Sequence, residues 1–336
     1  MKKHINPFKG FVLLALALTP LLSIANHNGE NIDKKRTISK TYAVGPDDQL
    51  SIENSFGNIT VTTWDKNEIQ VDIEIGVHAA SEEKAQRMID AISVSDNQGG
   101  REIHFKTVIG NMGKGNKDNS NEDVRKFYVD YKVSMPSKNP LNIENSFGKI
   151  QIPDFAGITR LTSKFGELTT GKIPNAKLIH VEFGKADIGQ LNNADVILKF
   201  NSKSAVAGLN GNSKVDVQFC SQVSLSVDHS FKELSIFQSY STIDLRVPGD
   251  LSAQVDVYTN FGSFINKTAF NISEEKEDDN SGPKFDKNYS GSAGGGAGKI
   301  KIKSSFGSVR LINVNDKSVE KEDDKDNDKN GDKVNL

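Results

Sequence analysis

One recurrence constrains this chain more than any other feature: phenylalanine followed by glycine returns at a nearly fixed interval. Glu-Asn-Ser-Phe-Gly occupies 53–57 and again 144–148, and Phe-Gly recurs at Phe165, Phe183, Phe261 and Phe306. Phe200, Phe219 and Tyr240 fill the remaining places, so from Phe147 to Phe261 the intervals are 18, 18, 17, 19, 21 and 21 residues. A period below about 30 residues is the signature of stacked coils, each burying its apolar face only against its neighbours.

The residues after each ring share a pattern too. After Phe56, Phe147, Tyr240 and Phe306, aliphatic residues sit at offsets of three and five: Ile59 and Val61, Ile150 and Ile152, Ile243 and Leu245, Val309 and Leu311. On a regular strand an odd offset puts ring and aliphatics on opposite faces. A positive φ or a bulge at the glycine would turn the chain so that both share one interior, which predicts rings that fill the coil. After Phe200 and Phe219 the aliphatics lie one residue later, at Val206 and at Val223 with Leu225, as a one-residue insertion requires.

Each repeat carries a second short strand, as at Ile158–Leu161, Lys177–Val181, Asp195–Leu198 and Lys214–Val217, with turns at Gly171–Asn175 and Asn210-Gly211 between them. Two strands and two bends per coil predict a mainly β fold: parallel β-solenoid coils of about 18–21 residues after an N-terminal β-rich region with one helix. A sandwich or barrel of hairpins also gives strands at such spacing, but does not explain one ring at one phase of each repeat.

The organisation expected along the chain begins with an export signal. Residues 1–25 read as a signal peptide: Lys2, Lys3 and Lys9 precede the apolar run from Phe11, Pro20 interrupts it, and Ser23 and Ala25 suit cleavage. Residues 26–39 read as a flexible leader and 40–136 as a strand and helix region, in which Ser81 caps a helix placing Ala85, Met88, Ile89 and Ile92 on one stripe. A hydrophilic loop falls at 110–122. Residues 137–314 form the repeat domain, with a disordered excursion at about 273–298, and 315–336 a charged disordered tail.

The segment Ser55-Phe-Gly-Asn-Ile-Thr-Val-Thr-Thr-Trp-Asp-Lys-Asn-Glu-Ile69, the helix after Val77-His-Ala-Ala-Ser81, the lead-in Tyr131-Lys-Val-Ser-Met-Pro136 and the later Phe-Gly coils together resemble a bacterial family. They are similar to the exported "putative adhesin" β-strand-repeat family, over most of residues 40–314. The resemblance implies an exported β-solenoid and brings no catalytic residues with it. The charged stretch at 273–298 and the tail depart from the family's repeat pattern.

Motifs for chemistry are weak. Asp326, Asp328, Asn330 and Gly331 match half a calcium loop whose twelfth position would fall beyond Leu336. Gly-Ala-Gly-Lys at 296–299 lacks both the first glycine and the Ser/Thr of a phosphate loop. His78, His104, His180 and His229 show no metal-ligand spacing, and Cys220, the one cysteine, reads as a buried apolar thiol. Glu53 and Glu144 share one phase of the repeat, and with Asp187, Asp216, Asp244 and Asp256 are the carboxylates that stacking could bring within the roughly 5–10 Å of a glycosidase pair. Solvent-facing residues on strands are polar by default, and that reading is preferred for them. No catalytic, cofactor-binding or metal-ligating residue and no cofactor is therefore assigned.

With 42 Lys+Arg against 44 Asp+Glu, nothing points to nucleic acid, and no span follows the signal segment. The expectation is a non-enzymatic exported protein, in periplasm, outer surface or outside the cell, making extended-surface contact with protein or glycan in adhesion or assembly. A β-helix glycan-active enzyme, lyase or glycosidase, and a periplasmic envelope-stress sensing or scaffold component are the alternatives.

Overall fold

The structure is a computed structural model that describes residues 32–110, 127–275 and 285–316. The signal peptide, the loop at 111–122, the middle of the excursion at 276–284 and the tail from 317 with its half calcium loop lie outside the described residues. Among the described residues the chain is mainly β, with 23 strands and one helix. It divides into two units, Met1–Ile197 and Leu198–Leu336.

The first unit opens with β1 (Ile32–Ala43), β2 (Gln49–Ser55), β3 (Ile59–Trp64), β4 (Glu68–Ala79), helix α1 (Glu82–Ala91), β5 (Ile92–Gly99), β6 (Glu102–Ile109) and β7 (Phe127–Pro136). It continues through β8 (Leu141–Ser146), β9 (Lys149–Ile152), β10 (Thr159–Lys164), β11 (Glu167–Thr170), β12 (Ala176–Glu182) and β13 (Lys185–Asn192), and β14 (Asp195–Lys199) comes next. Parallel pairing sets the repeat: β8 pairs with β10 from Leu141↔Thr159, and β9 with β11 and β11 with β13 from Lys149↔Glu167 and Glu167↔Lys185, a shift of 18 residues each time. The first Glu-Asn-Ser-Phe-Gly segment joins the same scheme, since β2 pairs with β8 and β3 with β9, Ile59 beside Ile150. Inward positions on these strands are the expected aliphatics: Leu50, Ile52, Ile59, Ile143, Ile150, Leu161, Leu168 and Ile188 are fully buried.

The N-terminal region differs in kind. There β1 runs antiparallel to β4, β4 to β7 and β5 to β6. Helix α1 begins where expected: the Ser81 side chain accepts from the Lys84 amide, Glu82 and Glu83 occupy the first turn, and Ala85, Met88 and Ile89 are buried. Ile92 ends the helix and opens β5. The leader requires correction, because residues 32–39 belong to β1 and are paired with β4 throughout. Its polar composition hid a strand whose Lys34, Arg36 and Lys40 share a face with Ile38 and Tyr42, so that aliphatic stems cover apolar surface. Arg36 Nη2 donates to the Ile92 carbonyl and Tyr42 Oη to Asp96 at 2.6 Å.

The second unit contains β15 (Lys203–Gln218), β16 (Gln222–Ser239), β17 (Thr242–Val247), β18 (Ala253–Asn260), β19 (Ser263–Asn266), β20 (Asn271–Glu274), β21 (Asp286–Ala293), β22 (Gly298–Ser305) and β23 (Ser308–Asn313). Its spatial order is not its sequence order. β22 pairs in parallel with β16 on one edge and β18 on the other, and β23 likewise lies between β17 and β19. Strands β22 and β23 are therefore inserted between earlier strands. Tyr240 and Phe261, neighbours in the sequence repeat, are separated by Phe306.

Two further expectations are corrected here. Asn210-Gly211 does not separate two strands but is a bend within β15, with Gly211 at φ 60° and register shifts around it. Residues 286–293, expected within the disordered excursion, form β21, antiparallel to both β18 and β20. Main-chain pairing from two sides sustains a strand that composition alone would not.

Candidate functional site

The repeated Phe-Gly builds the most distinctive surface of the molecule. At every repeat the aromatic residue, not the glycine, takes the left-handed backbone: φ is 61° at Phe56, 58° at Phe147, 54° at Phe165 and Phe183, and between 48° and 54° at Phe200, Phe219, Tyr240, Phe261 and Phe306. This conformation costs a non-glycine residue roughly 1–2 kcal/mol. The glycine is needed for proximity instead. A Cβ on Gly148 would fall 1.9 Å from the Gly57 carbonyl oxygen, and one on Gly184 2.1 Å from that of Gly166.

The expected inward rings are thus overturned. Phe147, Phe165 and Phe183 are 48, 48 and 43% exposed, and the rings of the second unit are exposed to a similar degree. Plain strand alternation is the correct guide, because ring and aliphatics do face opposite ways. In the first unit Phe56, Phe147, Phe165 and Phe183 stack at 4.8, 4.8 and 4.9 Å between centroids, their planes within 7° of parallel. The Phe127 ring tilts against Phe56 at 5.0 Å. In the second unit the order is Phe200, Phe219, Tyr240, Phe306, Phe261 and Phe285, at 5.1, 5.0, 4.9, 5.2 and 4.4 Å. Neighbours cover the ring faces, so solvent meets mainly ring edges.

The signal that sequence reasoning missed lies in the same pentapeptide. Asn54 and Asn145 point inward and hold the turns. Asn54 Nδ2 donates to the Val129 carbonyl at 3.0 Å and to Asn145 Oδ1 at 3.1 Å, and Asn145 Nδ2 donates to the Gly57 carbonyl at 2.9 Å. Backbone bonds complete the turn, as from the Phe147 amide to the Lys164 carbonyl at 2.9 Å and from Phe165 to Glu182 at 2.9 Å.

The two ladders have different borders. Beside the first lie Lys164 with Glu182 at 3.9 Å, and Lys149 and Lys185 on either side of Glu167 at 2.9 and 3.7 Å. The Lys149 ammonium, hydrogen-bonded to Glu167, holds that carboxyl below the usual range. The second is bordered largely by uncharged groups, including Gln218, Ser239, Ser221 and Thr242, with Ser263 and Ser308 hydroxyls 3.0 Å apart.

Of the six carboxylates, the register brings Glu53 and Glu144 side by side, and the other four lie apart from them. Glu53 and Glu144 are register partners on an outer face, where Glu53 meets Lys106 at 2.5 Å and His104 at 3.2 Å. The Lys106 hydrogen bond keeps the Glu53 carboxyl low. Asp187 lies beside Thr169 on the other sheet face, and Asp216 accepts from Gln218 at 3.0 Å. Asp244 is buried against Arg310, and Asp256 faces Lys299 at 3.4 Å. His78, His104, His180 and His229 each lie near one carboxylate, and among the described residues no three His, Cys, Asp or Glu side chains gather as a metal requires. Cys220 is buried, and burial pushes its thiol pKa up. Lys299 of the Gly-Ala-Gly-Lys segment is in β22, so that segment leads into a strand. No helix among the described residues is long and apolar enough to cross a membrane.

No protein-family model and no curated protein matches the chain. Among solved structures it is similar to a "putative cell adhesion protein" from Clostridium sporogenes, at 12% identity over 83% of this chain and 100% of that one, with a TM-score of 0.27. It is also similar to a "putative adhesin" from Bacteroides fragilis, at 12% identity over 83% and 97%, TM-score 0.32. A third is a "Putative lipid binding protein" from Parabacteroides distasonis, at 12% identity over 84% and 98%, TM-score 0.33.

Proposed function

We propose that this chain is an exported, non-catalytic β-solenoid of the cell envelope that works in adhesion or assembly by extended-surface contact, its aromatic ladders serving as contact strips. One observation carries the reading: half-exposed rings are retained at left-handed backbone positions. Glycine or asparagine would occupy that backbone with less strain. Stacking returns about 0.5–1.5 kcal/mol per pair, roughly the strain it offsets, so folding alone gives little reason to keep a ring there. A strip of ring edges is apolar, straight and shallow, which suits broad contact more than a pocket for catalysis. In-register parallel pairing at an 18-residue shift supports the solenoid, and the apolar segment before Asn26 supports export.

The test is a triple variant, Phe147→Ser, Phe165→Ser and Phe183→Ser, compared with the parent for binding to protein and glycan arrays and, expressed on cells, for attachment to surfaces. Weaker binding with a folded chain is expected, and undiminished binding would remove the reading. Cell fractionation and N-terminal sequencing, expected to begin near Asn26, test export.

A further inference from the structure

Phe237 is a strongly exposed aromatic residue outside the ladders. It occupies an outward position near the C-terminal end of β16, is 48% exposed, and has no ring stacked on it among the described residues. Its register partner on one side is Asp216 on β15, which accepts from Gln218, and on the other Lys303 on β22, followed by Tyr258 on β18 and Asn288 on β21. The same face carries Lys301, Asp256 and Ser290 in the next row. Phe237 and Tyr258 thus stand two strands apart, about 10 Å, with an ammonium group between them.

The charges on this face are unequal. Lys301 pairs with Glu233 at 2.7 Å and Lys299 with Asp256 at 3.4 Å. Lys303 has no carboxylate partner among the described residues; its Nζ lies 5.9 Å from the centre of the Phe237 ring. Beside it is a concavity of about 260 Å³ lined by Asp256, Tyr258, Asn288, Ser290, Lys301 and Lys303, with Glu275 on its wall.

We infer that this face is a binding site for an anionic saccharide, a hexuronate or sulfated sugar within a longer glycan. Among the described residues no ring is stacked on Phe237 or Tyr258; Lys303 lies over one face of the Phe237 ring, and the other face, like that of Tyr258, can take the C–H face of a pyranose, unlike the ladder rings, whose faces are covered. Lys303 supplies a charge-assisted bond to the carboxylate or sulfate, and Asp256, Asn288 and Ser290 offer bonds to hydroxyls. The concavity is smaller than the roughly 300–1,000 Å³ of sites for drug-sized ligands, which fits one residue of a chain lying across the strands. The site is separate from the ladders and does not depend on them.

Titration calorimetry of the purified chain with tetragalacturonate and with its methyl ester tests this. The acid form should bind, weakening with salt, and the neutral ester at least tenfold more weakly. Lys303→Gln and Phe237→Ser should each lower affinity at least tenfold without moving the melting temperature, and Lys177→Gln, an equal charge change elsewhere, should not. No binding of the acid form at millimolar concentration, equal binding of the ester, or parental affinity in both site variants would overturn the proposal. The ladder variants are read by adhesion and these by oligosaccharide binding, so either reading can fail alone.

Discussion

Gly166 lies so close to Gly148 that a Cβ built on it would fall 1.9 Å from the Gly148 carbonyl oxygen. The contact recurs one coil on, at Gly184, and it explains why glycine comes after the ring although the ring carries the unusual φ. Gly166→Ala should therefore cost about 3 kcal/mol, at the upper end for overpacking, because the obstacle is backbone and cannot rotate away. Chemical denaturation measures it, and a parental midpoint would mean that the coils sit farther apart.

Phe165 is stacked on both sides, by Phe147 at 4.8 Å and Phe183 at 4.9 Å, but is half exposed. Phe165→Ala should lose about 1–3 kcal/mol, two stacking contacts of roughly 0.5–1.5 each, and not the roughly 3–5 of an interior phenylalanine. Denaturation of the single variant decides between these ranges.

Asp244, with its side chain 1% exposed, receives Arg310 Nε at 2.5 Å and Nη2 at 2.8 Å. The pair ties β17 to the inserted β23. Asp244→Ala removes both bonds to the guanidinium and should cost about 3 kcal/mol, whereas Asp244→Leu with Arg310→Met should recover most of the loss. A double-mutant cycle checks this, and additive losses would deny the coupling.

Acid should weaken the fold through several surface carboxyls. Glu53, Glu74, Glu167 and Glu233 are held below the ordinary carboxylate range, chiefly by hydrogen bonds from Lys106, Lys35, Lys149 and Lys301. A carboxyl depressed in the folded state stabilises fully above its unfolded pKa, about 4.3, and loses that contribution as pH falls through the folded value. Stability should be flat from pH 7 to about 5 and decline below about 4.5. Glu53→Gln with Glu167→Gln should flatten the decline slightly, since exposed pairs contribute little each. Melting temperatures across that range provide the measurement.

The repeat, the inward aliphatics and the helix after Ser81 are all legible in the sequence, because each arises from local periodicity or from a side chain capping its own backbone. The polar candidates are legible only as residues: repeat phase places Glu53 beside Glu144, but it does not reveal the salt bridges that define their surroundings. Lys303 and Phe237 carry no signal in the sequence, since their proximity depends on β22 lying beside β16, 66 residues apart in the register pair.

The order of amino acids by itself determined that the chain would stack alternating strands every 18 or so residues, since the side-chain period of a strand is fixed by the backbone. Tertiary structure alone decided that the ring, and not the glycine, takes the left-handed backbone, which strand lies beside which, and that β1 and β21 are strands. Main-chain hydrogen bonds are chemically alike in every coil, so strand order depends on which edges are open when the chain returns. The left-handed backbone at each ring is held in place by neighbouring strands, and no single repeat encodes that constraint.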